Sequence, residues 1–433
     1  MSAGIYIRGG RLVDPATGRD EVADLFIRDG RIIPRPAALP PDAACLDARG
    51  LVVVPGLIDL HVHLREPGGE EAETIESGAR AAARGGFTTI VAMPNTLPPH
   101  TTPEIIRRVL QRGAEVGLAR VLPSGCVTKG RKGVELADLA ALAAAGAAAF
   151  TDDGSVVASA ALLEKALRKT KRLDKVLMEH AEDHALEKAG VMHAGEYSKR
   201  CHLPGVPSEA ETKIVARDIA LATATGAAVH IQHVSAAESV RLIRAARARG
   251  VRVTGELTPH HLALTDAEVR PDDANFKMNP PLRSAADRAA LIEGLVDGTL
   301  TCFATDHAPH TAAAKARGFL HAPSGVVGLE TAVGVTYTEL VLGGWMDLLT
   351  WLRRWTTGPA EVLGLPPPSL AAGMIADLAL LDLDTAWIVK PDEFVSKSRN
   401  TPFTGRRLTG RAAGTLLGGA VIWLAGFQRM KNP

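Results

Sequence analysis

The sequence predicts an α/β fold, a (β/α)8 barrel of the TIM type joined to a small β-sandwich domain formed from both termini. Eight short apolar runs alternate with helix-forming segments through the middle of the chain. β-prone runs without helices between them open and close it. Polar, metal-seeking side chains follow several of the apolar runs, where strands of such a barrel run out into loops. At 433 residues the chain has room for one large domain and a smaller one, with no need of disulfide staples.

In chain order, Ile5 to Val13 and Asp24 to Ile33 are β-prone, and Asp29-Gly30 makes a hairpin turn between Leu25-Phe-Ile27 and Arg31-Ile-Ile33. The first barrel strand leads into His61. Further strands are expected at Thr88 to Ala92, Arg120 to Leu122, Ala147 to Phe150, Lys175 to Met178, Ala228 to Gln232, Arg252 to Gly255 and Leu300 to Ala304. Helices are expected over Thr74 to Arg84, Glu104 to Arg112, Ala160 to Lys169, Glu209 to Thr225, Ala236 to Arg249 and Ala285 to Val296, and the alanines of Leu139 to Ala149 are good helix formers. After Pro366-Pro-Pro368 the β texture returns with Ala376 to Leu383 and Gly414 to Leu424. The apolar stretch Ala412 to Phe427 is broken by Gly418-Gly419 and reads as two strands around a turn. The expected division is 1–54 with 369–433 as the β domain and 55–368 as the barrel.

Lys plus Arg (49) balance Asp plus Glu (48) for a net charge of +1, so no global field recruits nucleic acid or an anionic membrane, and a small-molecule partner is expected. The four cysteines lack C-x-x-C spacing, and the N-terminus lacks a secretory pattern. A cytoplasmic setting is the expectation.

His61-Val-His63 puts two imidazoles on one side of a strand end, where both reach one ion. Asn95 follows strand two, Asp153 strand four, His180 strand five, His233 strand six, and Asp306 with His310 strand eight. Four of these histidines, His61, His63, His180 and His233, therefore converge with Asp153 and Asp306 on one face as candidate ligands. Mixed imidazole and carboxylate donors suit Zn²⁺, with Mn²⁺ or Co²⁺ able to substitute. Six ligands exceed one tetrahedral site, so two ions sharing a carboxylate and a hydroxide are expected, with Asp153 as the bridge.

His61-Val-His-Leu-Arg-Glu-Pro-Gly68, Met93-Pro-Asn-Thr96, Phe150-Thr-Asp-Asp-Gly154, Lys277-Met-Asn-Pro-Pro-Leu-Arg283 and Ala304-Thr-Asp-His-Ala-Pro-His310 resemble the signature blocks of the bacterial class I dihydroorotases, in the amidohydrolase superfamily. The resemblance implies reversible cyclisation of N-carbamoyl-L-aspartate to L-dihydroorotate, the ring-closing step of pyrimidine synthesis. It implies that His61, His63, Asp153 and Asp306 hold one ion and Asp153, His180 and His233 the other, with Asp153 where many relatives carry a carboxylated lysine. It implies further that a hydroxide held by the metals would attack the ring carbonyl and that Asp306 would carry the proton, as catalytic acid and base. Arg65, Asn95 and His310 resemble the clamp on the substrate carboxylate, Asn279 the ring contact, and the backbone at Ser324-Gly325 a further contact. Thr311 to Gly325 is the lid candidate. Related chains often have a larger apolar residue at 324 and more charge along 311–314.

His260-His261 are read as structural or supporting, His230 as facing away from His233, and His100, His184, His193, His202 and His321 receive no role. A homodimer and an association with aspartate transcarbamoylase are the open partner expectations. Two rivals stay open: a hydantoinase-like cyclic-amide hydrolase, and an inactive homologue that scaffolds a transcarbamoylase.

Overall fold

The computed structural model describes residues 4–37 and 43–425. Gly426 and Phe427, the end of the C-terminal apolar stretch, lie outside the described residues. The chain begins with β1 (Ile5–Asp14), β2 (Arg19–Arg28), β3 (Arg31–Ile33), β4 (Ala44–Asp47) and β5 (Val52–Pro55). The β2–β3 turn is Asp29-Gly30 with φ of 49° and 74°, the pair of positive values that a two-residue hairpin matching strand twist requires.

β6 (Leu57–Val62), β7 (Phe87–Ala92) and β8 (Arg120–Pro123) are parallel neighbours, each followed by helical segments. β9 (Leu177–Glu179) comes next, followed by a small parallel pair, β10 (Met192–His193) and β11 (Gly205–Val206). β12 (Val229–Ile231), β13 (Val253–Leu257) and β14 (Cys302–Phe303) complete a second parallel set in the order β14-β13-β12-β9. Phe150 joins the two sets, bridging Gly125 after β8 and Leu177 of β9, while Val62 of β6 bridges His307 after β14. The parallel pairings thus return to the strand from which they began.

Two expectations are corrected here. The alanine run is helical only over Leu139–Ala144, because the chain turns at Ala145-Gly146 to enter the parallel set. The expected fourth strand, Ala147 to Phe150, is reduced to one residue, Phe150, with a bridge on either side, although its backbone also bonds through Ala148 to Pro123 and Phe150 to Val176. The remaining helices, among them Ile75–Gly85, Pro103–Val116, Ala160–Arg172, Glu209–Thr225, Ala237–Ala248 and Ala285–Val296, lie close to the expected ranges.

The apolar run before His61 divides at Gly56. β5 pairs with β1 and β15 of the terminal sheet, whereas β6 enters the parallel set. A Cβ at Gly56 would lie 2.1 Å from Thr88 Oγ1, so only glycine permits this crossing. β15 (Leu378–Ile388), β16 (Arg407–Leu417) and β17 (Ala420–Leu424) close the chain, with Gly418-Gly419 turning β16 into β17. They continue one mixed sheet in the order β17-β16-β15-β5-β1-β2-β3, with β4 also on β1, so both termini share eight strands. That sheet keeps its own apolar cluster, including Ile7, Leu12, Val53, Leu378 and Leu416.

Trp355 stacks on Phe303 at 4.8 Å between ring centroids and meets Phe87 edge-on at 5.2 Å, sealing the strands beneath the helices. All four cysteines are free, as expected. Among the described residues no helix is long and apolar enough to cross a membrane.

Asp59 fastens β6 to the end of β14. Its fully buried carboxylate accepts the backbone N–H of His61 (3.0 Å) and of Thr305 (3.1 Å) and the Thr305 hydroxyl (2.5 Å). Removing it strands buried donors at the strand ends that carry His61 and Asp306. Asp59→Ala is therefore expected to lower stability by about 3 kcal/mol in denaturant unfolding, with Asp59→Asn losing less because one acceptor oxygen survives.

Candidate metal centre

Each expected ligand stands at the C-terminal end of a parallel segment. His61 is the penultimate residue of β6 and His63 follows it; His180 follows β9, His233 lies two residues past β12, and Asp306 three past β14. Asp153 lies three residues past the Phe150 bridge. All six are buried.

Asp153 sits at the centre. Its Oδ1 is 3.2 Å from His61 Nε2, 3.8 Å from His180 Nδ1 and 4.0 Å from His233 Nε2, while Oδ2 is 3.5 Å from His63 Nε2. Asp306 Oδ1 is 3.0 Å from His63 Nε2 and 3.4 Å from His61 Nε2. His180 Nδ1 and His233 Nε2 are 2.8 Å apart. Two overlapping sets, His61 with His63 and Asp306, and His61 with Asp153 and His233, each place their donor atoms within 4.8 Å of one another.

The electrostatics call for positive charge. Burial opposes protonation of His61, yet Asp153 and Asp306 outweigh it and hold the imidazole well above its ordinary range. Burial likewise opposes ionisation of Asp153, but His61, His63 and His180 keep the carboxylate well below its usual value. Burial, with His180 and His61 nearby, pushes His233 down to about 3, which keeps the ring neutral with one nitrogen's lone pair open to a metal ion. Within the ligand set two buried imidazole nitrogens, His61 Nε2 and His233 Nδ1, have no hydrogen-bond partner. A donor set of four imidazoles and two carboxylates, partly unsatisfied and drawing protons to itself, fits divalent cations.

A cavity of about 210 Å³ opens over these groups. Five of the six ligands line it and His61 lies beneath, while Arg65, Asn95, Asn279, His310, Ser324 and Gly325 form the rest of its polar wall. The Arg65 guanidinium donates to Pro309 O (3.2 Å) and lies 3.4 Å from His310 Nε2. Burial and the Arg65 charge push His310 down to about 3, so its Nε2 donates to Ser324 O at 2.8 Å as a neutral ring. Asn95 is already engaged with the ligands: Oδ1 pairs with His63 Nδ1 (2.9 Å) and Nδ2 donates to Asp153 Oδ2 (3.2 Å). Asn279 Nδ2 donates to Glu182 Oε2 at 2.8 Å.

Arg65, His233 and Asp306 have φ of 60°, 30° and 46°. Left-handed backbone at a non-glycine costs of order 1–3 kcal/mol, and three such positions around one cavity mark a region where geometry is held against local preference.

The lid candidate forms two short helices, Ala312–Lys315 and Gly318–His321. Lys315 Nζ donates to the carbonyls of Ala274 (2.9 Å), Lys277 (3.2 Å) and Pro323 (3.0 Å), and Lys277 Nζ to Leu320 O (3.0 Å), tying the segment to the loop that carries Asn279. Gly325 has φ of 150°, and a Cβ there would lie 2.7 Å from Ala308 O, so the wall admits only bare backbone at that point.

Sequence reasoning missed the carboxylates behind the histidines. Glu256 Oε1 accepts from His61 Nδ1 at 2.9 Å, Glu182 Oε2 lies 3.0 Å from His180 Nε2, and Glu73 Oε2 lies 3.2 Å from His307 Nε2 next to Asp306. Glu182, two residues after His180, was visible in the local pattern; the other two meet their partners only through the fold. His261 bonds to Thr258 Oγ1 and Pro280 O, in keeping with a structural role, and the buried His100 bonds to Ser124 O.

A model of the Dihydro-orotase-like family matches residues 50–239. The chain is 50% identical over 419 residues to a dihydroorotase from Pelotomaculum thermopropionicum, covering 96% of this chain and 98% of that protein. It is 49% identical over 426 residues to a dihydroorotase from Anaeromyxobacter dehalogenans, covering 98% of both. Among solved structures it resembles an L-hydantoinase (dihydropyrimidinase) from Arthrobacter aurescens, with a TM-score of 0.86 and 25% identity over 98% of this chain and 96% of that one. Half the residues shared along nearly the whole length, with five of the six expected ligands lining one cavity, settles the membership: this chain belongs to the dihydroorotase family.

Proposed function

We propose that this chain is a metal-dependent cyclic amidohydrolase that interconverts N-carbamoyl-L-aspartate and L-dihydroorotate. The observation that carries this reading is Asp153, whose carboxylate lies within 4.0 Å of imidazoles from both halves of the ligand set. In this reading the parallel segments are the strands of a (β/α)8 barrel, and the sheet from both termini is a separate β domain with boundaries near residues 54 and 369. His61, His63, Asp153 and Asp306 hold one Zn²⁺, and Asp153, His180 and His233 hold a second. Such a pair supplies an ionised water and a polarised carbonyl near neutral pH.

The remaining steps belong to the chain's own side chains. Asp306 lines the cavity beside His63. During hydrolysis its carboxylate takes the proton of the attacking water and delivers it to the departing ring nitrogen; in ring closure it removes that proton from the carbamoyl nitrogen. Arg65 supplies a forked cation for the substrate carboxylate that never reacts, and His310 orients it from the same wall. Asn279 and the backbone at Ser324-Gly325 face the ring, and Asn95 holds His63 and Asp153 in register. A cytoplasmic setting is carried by cysteine usage and the N-terminal pattern, and a homodimer or an association with aspartate transcarbamoylase by the resemblance.

Comparing turnover of L-dihydroorotate with that of hydantoin and dihydrouracil tests the substrate, with dihydroorotate expected to be strongly preferred; preference for a neutral ring would favour the hydantoinase reading. Asp306→Ala should abolish turnover in both directions while the circular dichroism spectrum is retained. Arg65→Ala is expected to raise KM by about 10-fold or more, the value of a charge-assisted pair, and an unchanged KM would remove Arg65 from the clamp.

A further inference from the structure

β13 contributes no candidate ligand, yet its Glu256 touches the ligand set twice. Oε1 lies 2.9 Å from His61 Nδ1 and also accepts the backbone N–H of His233 at 3.1 Å. Oε2 lies 3.0 Å from His230 Nε2, and His230 Nδ1 lies 2.8 Å from Thr254 Oγ1, two residues before Glu256 on the same strand. Glu256 and His230 are both 0% exposed, so no water competes for these bonds.

We infer that Glu256 is a positioning residue for the whole metal pair, fixing the His61 ring and the His233 backbone with one carboxylate oxygen while His230 and Thr254 fix the other. The inference rests on the metal reading above and deepens it. An acceptor at 2.9 Å requires a proton on His61 Nδ1, so Nε2, which faces Asp153 and Asp306, is the nitrogen placed to hold a metal ion. Gln232 Nε2 is 3.2 Å from the same Nδ1, but an amide N–H has nothing to donate to a protonated nitrogen, and Gln232 Oε1 is engaged by the Thr151 hydroxyl. The bond to His233 N holds a residue whose φ of 30° local sterics disfavour. His61 and His233 are assigned to different ions, so a single carboxylate sets the geometry of both positions. His230, given no role in the sequence, is what keeps that carboxylate from rotating.

Zinc affinity, measured by competition with a chromophoric chelator, and the visible spectrum of the cobalt-substituted protein test this without reference to turnover. Glu256→Gln is expected to weaken zinc binding by about 10–100-fold and to alter the cobalt spectrum, because the amide cannot accept from both neighbours as the carboxylate does. Thr254→Val should show a smaller loss in the same direction, and Thr254→Ser, which keeps the hydroxyl, should match the wild type. Wild-type affinity and spectrum in Glu256→Gln would overturn the inference; should that variant fail to fold, identical affinities for Thr254→Val, Thr254→Ser and the wild type would do so. A wild-type protein that takes up no zinc would instead overturn the metal reading beneath it.

Discussion

Two buried carboxylates among four buried imidazoles are the constraint on which the rest of the structure depends. Asp153 and Asp306 could not both stay ionised in this setting without positive charge at hand, because burying an unpaired carboxylate costs several kcal/mol. The protein answers locally by raising the proton affinity of His61 and lowering that of His233. Divalent cations answer the same demand with donor atoms already in place. The surroundings support that concentration of charge: Asp59 fastens two ligand-bearing ends, and left-handed backbone at Arg65, His233 and Asp306 sets their place at the cavity.

The parallel strands and the terminal sheet divide the work. Most of the strands present their C-terminal ends to one cavity and end in a side chain with a task there or in a residue that holds such a side chain. The sheet from both termini packs its own apolar cluster and meets the strands at Gly56, where β5 passes into β6. The terminal sheet is thereby held by apolar packing of its own, while Arg65, His233 and Asp306 keep left-handed backbone at the cavity.

Much of this was legible in the chain because its signals are local. His-x-His follows from strand alternation, Asp29-Gly30 and Gly418-Gly419 from turn chemistry, and the helices from apolar spacing; the ligand residues fall at strand ends because apolar runs stop there. What was not legible depends on contacts distant in sequence. Hydropathy does not mark the break at Gly56, which is set by Thr88 across the fold. The fourth strand shrinks to Phe150 although its neighbours are good strand and helix formers, since its length is fixed by the segments on either side. Glu256 reads as an ordinary acidic residue until the fold carries it across 195 positions to His61.

The central claim is that six side chains gathered from distant segments hold a pair of divalent cations on which ring opening and closing depend. Metal analysis of the purified protein, with dihydroorotate turnover followed as zinc is removed by chelation and returned, tests it most directly. The account predicts about two equivalents of metal per chain, activity lost with the metal and restored with it. Full turnover by protein stripped of metal would contradict it.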